Sequence, residues 1–314
     1  MKRIICLLTN LLIFTQMGLS QIYMEDSTVQ TIAYWENKEM QSYQFSLESF
    51  DVIGDDTINR SKIDYVVDME ILDSSSTHYD VLWSYRDFGF DLQEMDSAYF
   101  SFIEKMLSIS DGSMVKYRTN EYGVFQEVTN WEDISEFYQK GADTLKSMFG
   151  NTPQISDLVD ATFKIYQTRN SIETQSIKDV MQFLNFHGGI YNLGEEVSFV
   201  SKAPNALGKN RLDREIYVLL DEIFPEDNDY RIISFSEANS EQLASETVLV
   251  LKTMLPNATE EEIDKLMAEV GQLSNTIENV SVIHGSGWPL FSKEVRNTGS
   301  NQKLKVEIRT MEIL

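Results

Sequence analysis

The sequence predicts an α+β fold in which one or two curved antiparallel β-sheets pack against a central group of helices. Three observations lead there. Apolar and polar residues alternate with period two toward both ends of the chain, the mark of half-buried strands. Apolar residues recur at helical spacing through the middle, over 131–185. Only five prolines and no Gly/Ser-rich linker interrupt the chain. Residues 21–314 therefore read as a single α+β domain. Its sub-units are a strand-rich 21–130, a helical 131–185 and a segment 186–314 of strands with two helices.

Thr28 to Trp35 is the first strand segment. Ser42 to Leu47 alternates cleanly, and Ile63 to Leu72 places Tyr65, Val67, Met69 and Ile71 on one face. Tyr79 to Tyr85 follows the turn-forming Asp73-Ser74-Ser75-Ser76, so the four runs form an antiparallel meander. A helix over 97–108 carries Phe102, Ile103, Met106 and Leu107 on one side. Met114–Arg118 and Val124–Val128 make a hairpin around Asn120-Glu121-Tyr122-Gly123.

Asn130 is placed to cap the next helix, whose apolar positions include Ile134, Phe137, Tyr138 and Leu145. Pro153 suits the first turn of the following one, where its missing N–H costs nothing. A third helix runs through Ile177, Val180, Met181 and Leu184 and stops before Gly188-Gly189. Strands return at Glu196–Val200, Glu215–Leu220 and Tyr230–Phe235. Helices follow over 240–255 and after Thr259, where Glu262 completes a capping box. The chain closes with strands at 279–284, 288–296 and 302–313. In the last, Leu304, Val306 and Ile308 are expected inward and Lys303, Lys305 and Glu307 outward.

Residues 1–20 read as a secretory signal peptide. Lys2 and Arg3 form a basic start, Ile4 to Phe14 an apolar core too short to span a bilayer, and Gly18-Leu19-Ser20 a small-residue cleavage site before Gln21. Cys6, the only cysteine, lies within the apolar core and lacks the small residue that lipidation requires before it. Cleavage thus leaves a cysteine-free chain, expected in the periplasm of a Gram-negative bacterium or outside the cell. It also removes two of 26 cations, leaving 24 against 50 acids, a formal charge of −26. Such a charge excludes nucleic acid and anionic membrane surfaces as partners, because both need basic patches. No later apolar run reaches the length of a membrane span, so the mature chain has no transmembrane segment. The Asn59, Asn257 and Asn279 sequons carry no meaning in a bacterium.

Chemistry-bearing motifs are scarce. His187 precedes Gly188-Gly189 and His284 precedes Gly285-Ser286-Gly287; both read as turn residues, because closely spaced His or Cys pairs are missing. Gly285-Ser286-Gly287 is too short for a nucleophile elbow, and no phosphate-cradling glycine loop exists. Glu195-Glu196 would point to opposite faces of a strand, and Glu260-Glu261-Glu262 complements a helix dipole. Asp227-Asn228-Asp229 starts like a calcium loop, but Ile232 stands where that loop needs glycine. Asp55-Asp56 after Gly54 is likewise a turn. The sequence therefore assigns no catalytic, cofactor-binding or metal-binding residue, and no cofactor. Its 17 Phe, 14 Tyr and 4 Trp are enough to line an apolar pocket, with Tyr191, Trp288 and Phe291 beside glycine-rich turns.

Two stretches, Val115 to Phe125 continuing through Asn130-Trp131, and His187 to Glu195, resemble a family of exported Bacteroidetes-type proteins of unknown function. The first matches its strand, Asn-x-x-Gly turn, strand and Asn-led helix. The second resembles the segment after its helices. The likeness covers about a third of the chain and transfers no catalytic motif. By analogy it implies the half-open barrel of periplasmic lipoprotein carriers, which wraps a sheet around helices and holds acyl chains. The expected function is non-enzymatic binding of an apolar or amphipathic ligand in the envelope. The alternatives are a module that docks on another envelope protein and a carboxylate-dependent hydrolase.

Overall fold

A computed structural model describes residues 21–92, 97–149, 153–203 and 211–314. The expected signal peptide, residues 1–20, and Cys6 within it lie outside the described residues. In the N-terminal part, β1 (Ile22–Tyr23) and β2 (Thr28–Gln30) precede three long strands, β3 (Met40–Ile53), β4 (Asp56–Ser74) and β5 (His78–Leu92). Helix α1 (Ser97–Ser110) leads to the hairpin β6 (Met114–Asn120) and β7 (Phe125–Val128). The helical middle holds α2 (Trp131–Phe149), α3 (Pro153–Phe163), the short α4 (Arg169–Ser171) and α5 (Lys178–Phe183). Then come β8 (Ile190–Asn192), β9 (Glu196–Ala203), β10 (Leu212–Phe224) and β11 (Asp229–Ala238). Helices α6 (Ser240–Met254) and α7 (Glu260–Val270) precede β12 (Leu273–His284), β13 (Pro289–Ser300) and β14 (Leu304–Ile313).

The expected α+β arrangement, sheets around a central helix group, is corrected by the topology. One eleven-stranded sheet in the order β7-β6-β5-β4-β3-β14-β13-β12-β11-β10-β9 collects strands from both ends of the chain. Every adjacent pair in it is antiparallel. Strands make up 48% of the described residues, so the molecule is a large antiparallel sheet on which the helices are a covering, and the sheet does not close into a barrel. Edges β7 and β9 stay unpaired with each other. A separate three-stranded sheet, β1-β2-β8, caps one end.

Strand signals were locally right but short. β4 spans 19 residues because polar stretches such as Asp56–Lys62 continue the ladder beyond the buried part. Conversely, β2 ends at Gln30, and the rest of the expected first strand is irregular: Thr31 N–H and Ala33 N–H donate to Gly189 and Tyr122 carbonyls. Asn130 does precede α2, yet its side chain serves β6, accepting from Lys116 N–H at 2.7 Å and donating to the Met114 carbonyl. The capping box before α7 forms as expected, with Thr259 N–H donating to Glu262 Oε2 at 2.7 Å.

The orientation of β14 is a second correction. Register sets Arg309 opposite Leu47, Met311 opposite Phe45 and Ile313 opposite Tyr43. Directly opposed residues share a face, so Glu307, Arg309 and Met311 point to the helix-covered side. Val306 and Ile308 point to the other. Alternation was read with the right period and the wrong sense.

The core lies on that covered face. Its main cluster joins Tyr43, Phe45, Val67, Met69, Trp83 and Tyr117 from β3–β6 to Ile177, Val180 and Phe183 of the α5 region. A second joins Phe186, Ile22 and Val29 to Val218, Leu220, Tyr230 and Ile232 of β10 and β11. No helix among the described residues is long and apolar enough to cross a membrane.

Met311 is fully buried in the main cluster although it belongs to the last strand. Met311→Ala should cost about 2–5 kcal/mol in urea unfolding. The neighbouring exposed Glu312→Ala should change stability by less than about 0.5 kcal/mol. Equal effects would contradict the orientation of β14.

Candidate functional site

The covered face of the sheet is divided by residue type. Across β3–β6, registered neighbours are aromatic or aliphatic: Leu47 faces Ile63, Phe45 faces Tyr65, and Met69 faces Trp83. Phe45 and Phe88 stack on Tyr65 at ring-centroid distances of 5.3 and 5.0 Å. Across β10–β14 the same face carries a polar belt. Arg309 lies opposite Glu294, Glu294 opposite Asn279, and Asn279 opposite Ser234. Helix α5 sits over the border. Gln182 holds it there, donating from Nε2 to Ser292 Oγ at 3.1 Å and to the Arg309 carbonyl at 3.2 Å.

On the aromatic side is a cavity of about 540 Å³. Its sheet wall is Leu47, Ile63, Tyr65, Tyr85 and Phe88; Leu107 of α1 and Ile134, Phe137 and Tyr138 of α2 form the opposite wall. Tyr138 stacks on Tyr166 at 3.7 Å between centroids. Lys178, Asp179 and Arg309 line this space where it meets α5 and β14, and Lys116 and Asp133 line it by β6 and the start of α2. Asp179 is buried, and Tyr65 donates its hydroxyl proton to Asp179 Oδ2 at 3.1 Å. A buried carboxylate requires such a donor. Burial, reinforced by Asp179, keeps the Tyr65 and Tyr85 hydroxyls well above the usual phenol range, so both stay protonated donors.

On the other side of α5 lies a second cavity of about 410 Å³, where the charged and polar Arg214, Ser236, Asn279, Glu294 and Arg296 meet apolar residues such as Phe125, Met181 and Ile216. Glu294 accepts from Arg296 Nε at 2.6 Å and Nη2 at 3.3 Å, and its Oε1 lies 3.5 Å from Arg309 Nη1. Arg214 donates to the Ser236 carbonyl, Ser236 Oγ and Asn275 Oδ1. Lys178 lines both cavities.

His187 and His284 meet at one turn without forming a pair. His187 Nε2 bonds the Gly287 carbonyl at 2.9 Å; a carbonyl only accepts, so Nε2 carries the proton. His284 Nδ1 contacts Ser286 Oγ at 2.7 Å. Gly287 sits at φ +85°, and a Cβ there would lie 2.3 Å from the Ile32 carbonyl oxygen, so this turn needs glycine. Glu195 bonds Asn192, Glu260–Glu262 start α7, and Asp227-Asn228 turn from β10 to β11, all away from the two cavities. Of the aromatic candidates, Tyr191 lines a smaller cavity of about 290 Å³ near β9. Trp288 is buried in the core with Nε1 donating to Glu39. Phe291, opposite Glu312, is on the outer face.

His78 joins the carboxylates of Asp73 and Asp80, their ligand atoms all within 4.8 Å. Arg118 already binds both oxygens of Asp80, at 2.7 and 2.8 Å. This is an ion-pair network at a hairpin end, not an open cation site.

No family model matches the chain, and no curated protein matches it. Among solved structures, DynF from the dynemicin biosynthesis pathway of Micromonospora chersina is similar at 5% identity, with 94% of this chain and 89% of that chain covered, at a TM-score of 0.19. A porin-like protein from Bacteroides uniformis is similar at 8% identity, with 90% and 98% covered, at a TM-score of 0.18. Neither likeness carries an argument about fold or function.

Sequence reasoning missed Lys178, Asp179, Glu294 and Arg309. No local motif marks these positions; only register and the packing of α5 bring them together.

Burial pushes the His187 imidazole down to about 4 from 6.5. Between these values the unfolded chain binds a proton that the folded chain refuses. Stability from this site is therefore complete above pH 6.5 and falls as pH drops toward 4, by about 3 kcal/mol in all. His187→Gln should flatten the stability-versus-pH curve by about that amount in urea titrations between pH 4 and 7. Parallel curves for the two proteins would overturn the assignment.

Proposed function

We propose that the chain is an exported envelope protein that binds an apolar or amphipathic ligand, without chemistry, in the cavity between β3–β5 and helices α1 and α2. The observation that carries this reading is the cavity itself. At about 540 Å³ it falls in the size range of small-molecule sites, and its walls are mainly aromatic and aliphatic, with charged groups at the α5–β14 end and at Lys116 and Asp133. Such a composition suits a ligand with a long apolar body and a polar terminus. Export rests on the basic, apolar and small-residue pattern of residues 1–20.

Ile63 lines the sheet wall and is only partly buried, so a larger side chain there can extend into the cavity. Ile63→Trp should weaken binding of a fluorescent 18-carbon fatty acid by about tenfold or more while leaving the thermal midpoint within a few degrees. Unchanged affinity in a folded variant would place the ligand elsewhere or nowhere.

A further inference from the structure

Lys178 stands out among the charged groups at the border of the two cavities. Each acid facing it is already engaged. Glu294 is bound by Arg296 and lies beside Arg309; Glu307 accepts from Lys305 at 2.8 Å; Asp179 accepts from Tyr65. Lys178 itself makes no hydrogen bond or ion pair among the described residues, yet it is largely removed from bulk water and lines both cavities. Locally, Lys178, Arg296, Lys305 and Arg309 stand against Asp179, Glu294 and Glu307, an excess of one cation in a chain whose formal charge is −24. Burial, then the nearby Arg296, lowers the Lys178 ammonium from its usual value, as expected of a cation lacking a counter-charge.

We infer that Lys178 is the anion-binding group of the site: the ligand is an acyl amphiphile whose carboxylate or phosphate head rests against the Lys178 ammonium while its chain fills the aromatic cavity. This rests on the cavity reading and adds the charge of the head group. Lys116 also lines the cavity but is exposed, so the anion completes the half-buried cation that has no partner among the described residues, and the second cavity beyond α5 leaves room for a hydrated head. Arg309 lines the same cavity and adds to the positive potential there. The negative charge of the whole chain opposes anion binding at long range, so the preference depends on this local cation.

Three ligands of equal chain length test it on the full, delipidated mature chain: oleate, oleoyl lysophosphatidate and uncharged mono-olein. Wild type should bind at least one anionic ligand about tenfold or more tighter than mono-olein, the size of one charge-assisted hydrogen bond. The tighter of the two anions identifies the head as carboxylate or phosphate. Lys178→Met should erase the preference and keep mono-olein binding, which also reports that the variant is folded; Lys178→Arg should restore it. Equal binding of all three ligands by wild type, or a preference that survives Lys178→Met, overturns the role of Lys178 and leaves the cavity reading intact. Failure of all three to bind wild type removes the cavity reading and this inference with it.

Discussion

The rest of the structure depends on the pairing of the last strand with the first long one. Ten registered residue pairs, from Leu304↔Val52 to Ile313↔Tyr43, join β14 to β3. Without them the meander β3–β7 and the meander β9–β14 would be two separate sheets. Closing a loop of this length costs entropy that grows only slowly with length, so the whole ten-pair ladder, together with burial of Met311 against the β3–β6 core, is what offsets it. The seam also fixes the site. It places Arg309 beside Leu47, so the polar belt of one half meets the aromatic wall of the other along a single line.

Helix α5 follows from that line. Val180 and Phe183 are buried among the aromatic residues, whereas Gln182 bonds the polar strands β13 and β14. One short helix thus satisfies both halves of a divided surface. Its first residue, Lys178, is left between the cavities, and Asp179 faces the aromatic one. Burying the polar belt is tolerable because its carboxylates have donors: Glu294 has Arg296, and Asp179 has Tyr65.

Much of the secondary structure was legible from local signals. The β4 face of Tyr65, Val67 and Met69, the Asn120–Gly123 turn and the Thr259 capping box all depend on neighbours within a few residues. The architecture was not legible, because β14↔β3 pairing joins residues more than 250 positions apart and leaves no local trace. The site was hidden by the same rule that revealed the strands. Alternation counted from Leu304 sends Arg309 to solvent; counted back from Met311 and Ile313, it sends Arg309 inward. Two apolar sets of opposite parity share one strand, and only register decides between them. Likewise, Glu294 and Arg296 look like an exposed charged stretch until Asn279 and Arg309 are seen beside them.

The central claim is that the divided face encloses a site for an amphiphile. Native mass spectrometry of the protein, released gently from cells that express it, tests this most directly. The account predicts a bound acyl species that adds a discrete mass, disappears on organic extraction and returns on incubation with the extracted lipid. A protein found at its bare polypeptide mass, with no mass gained from the envelope lipid extract, would contradict it.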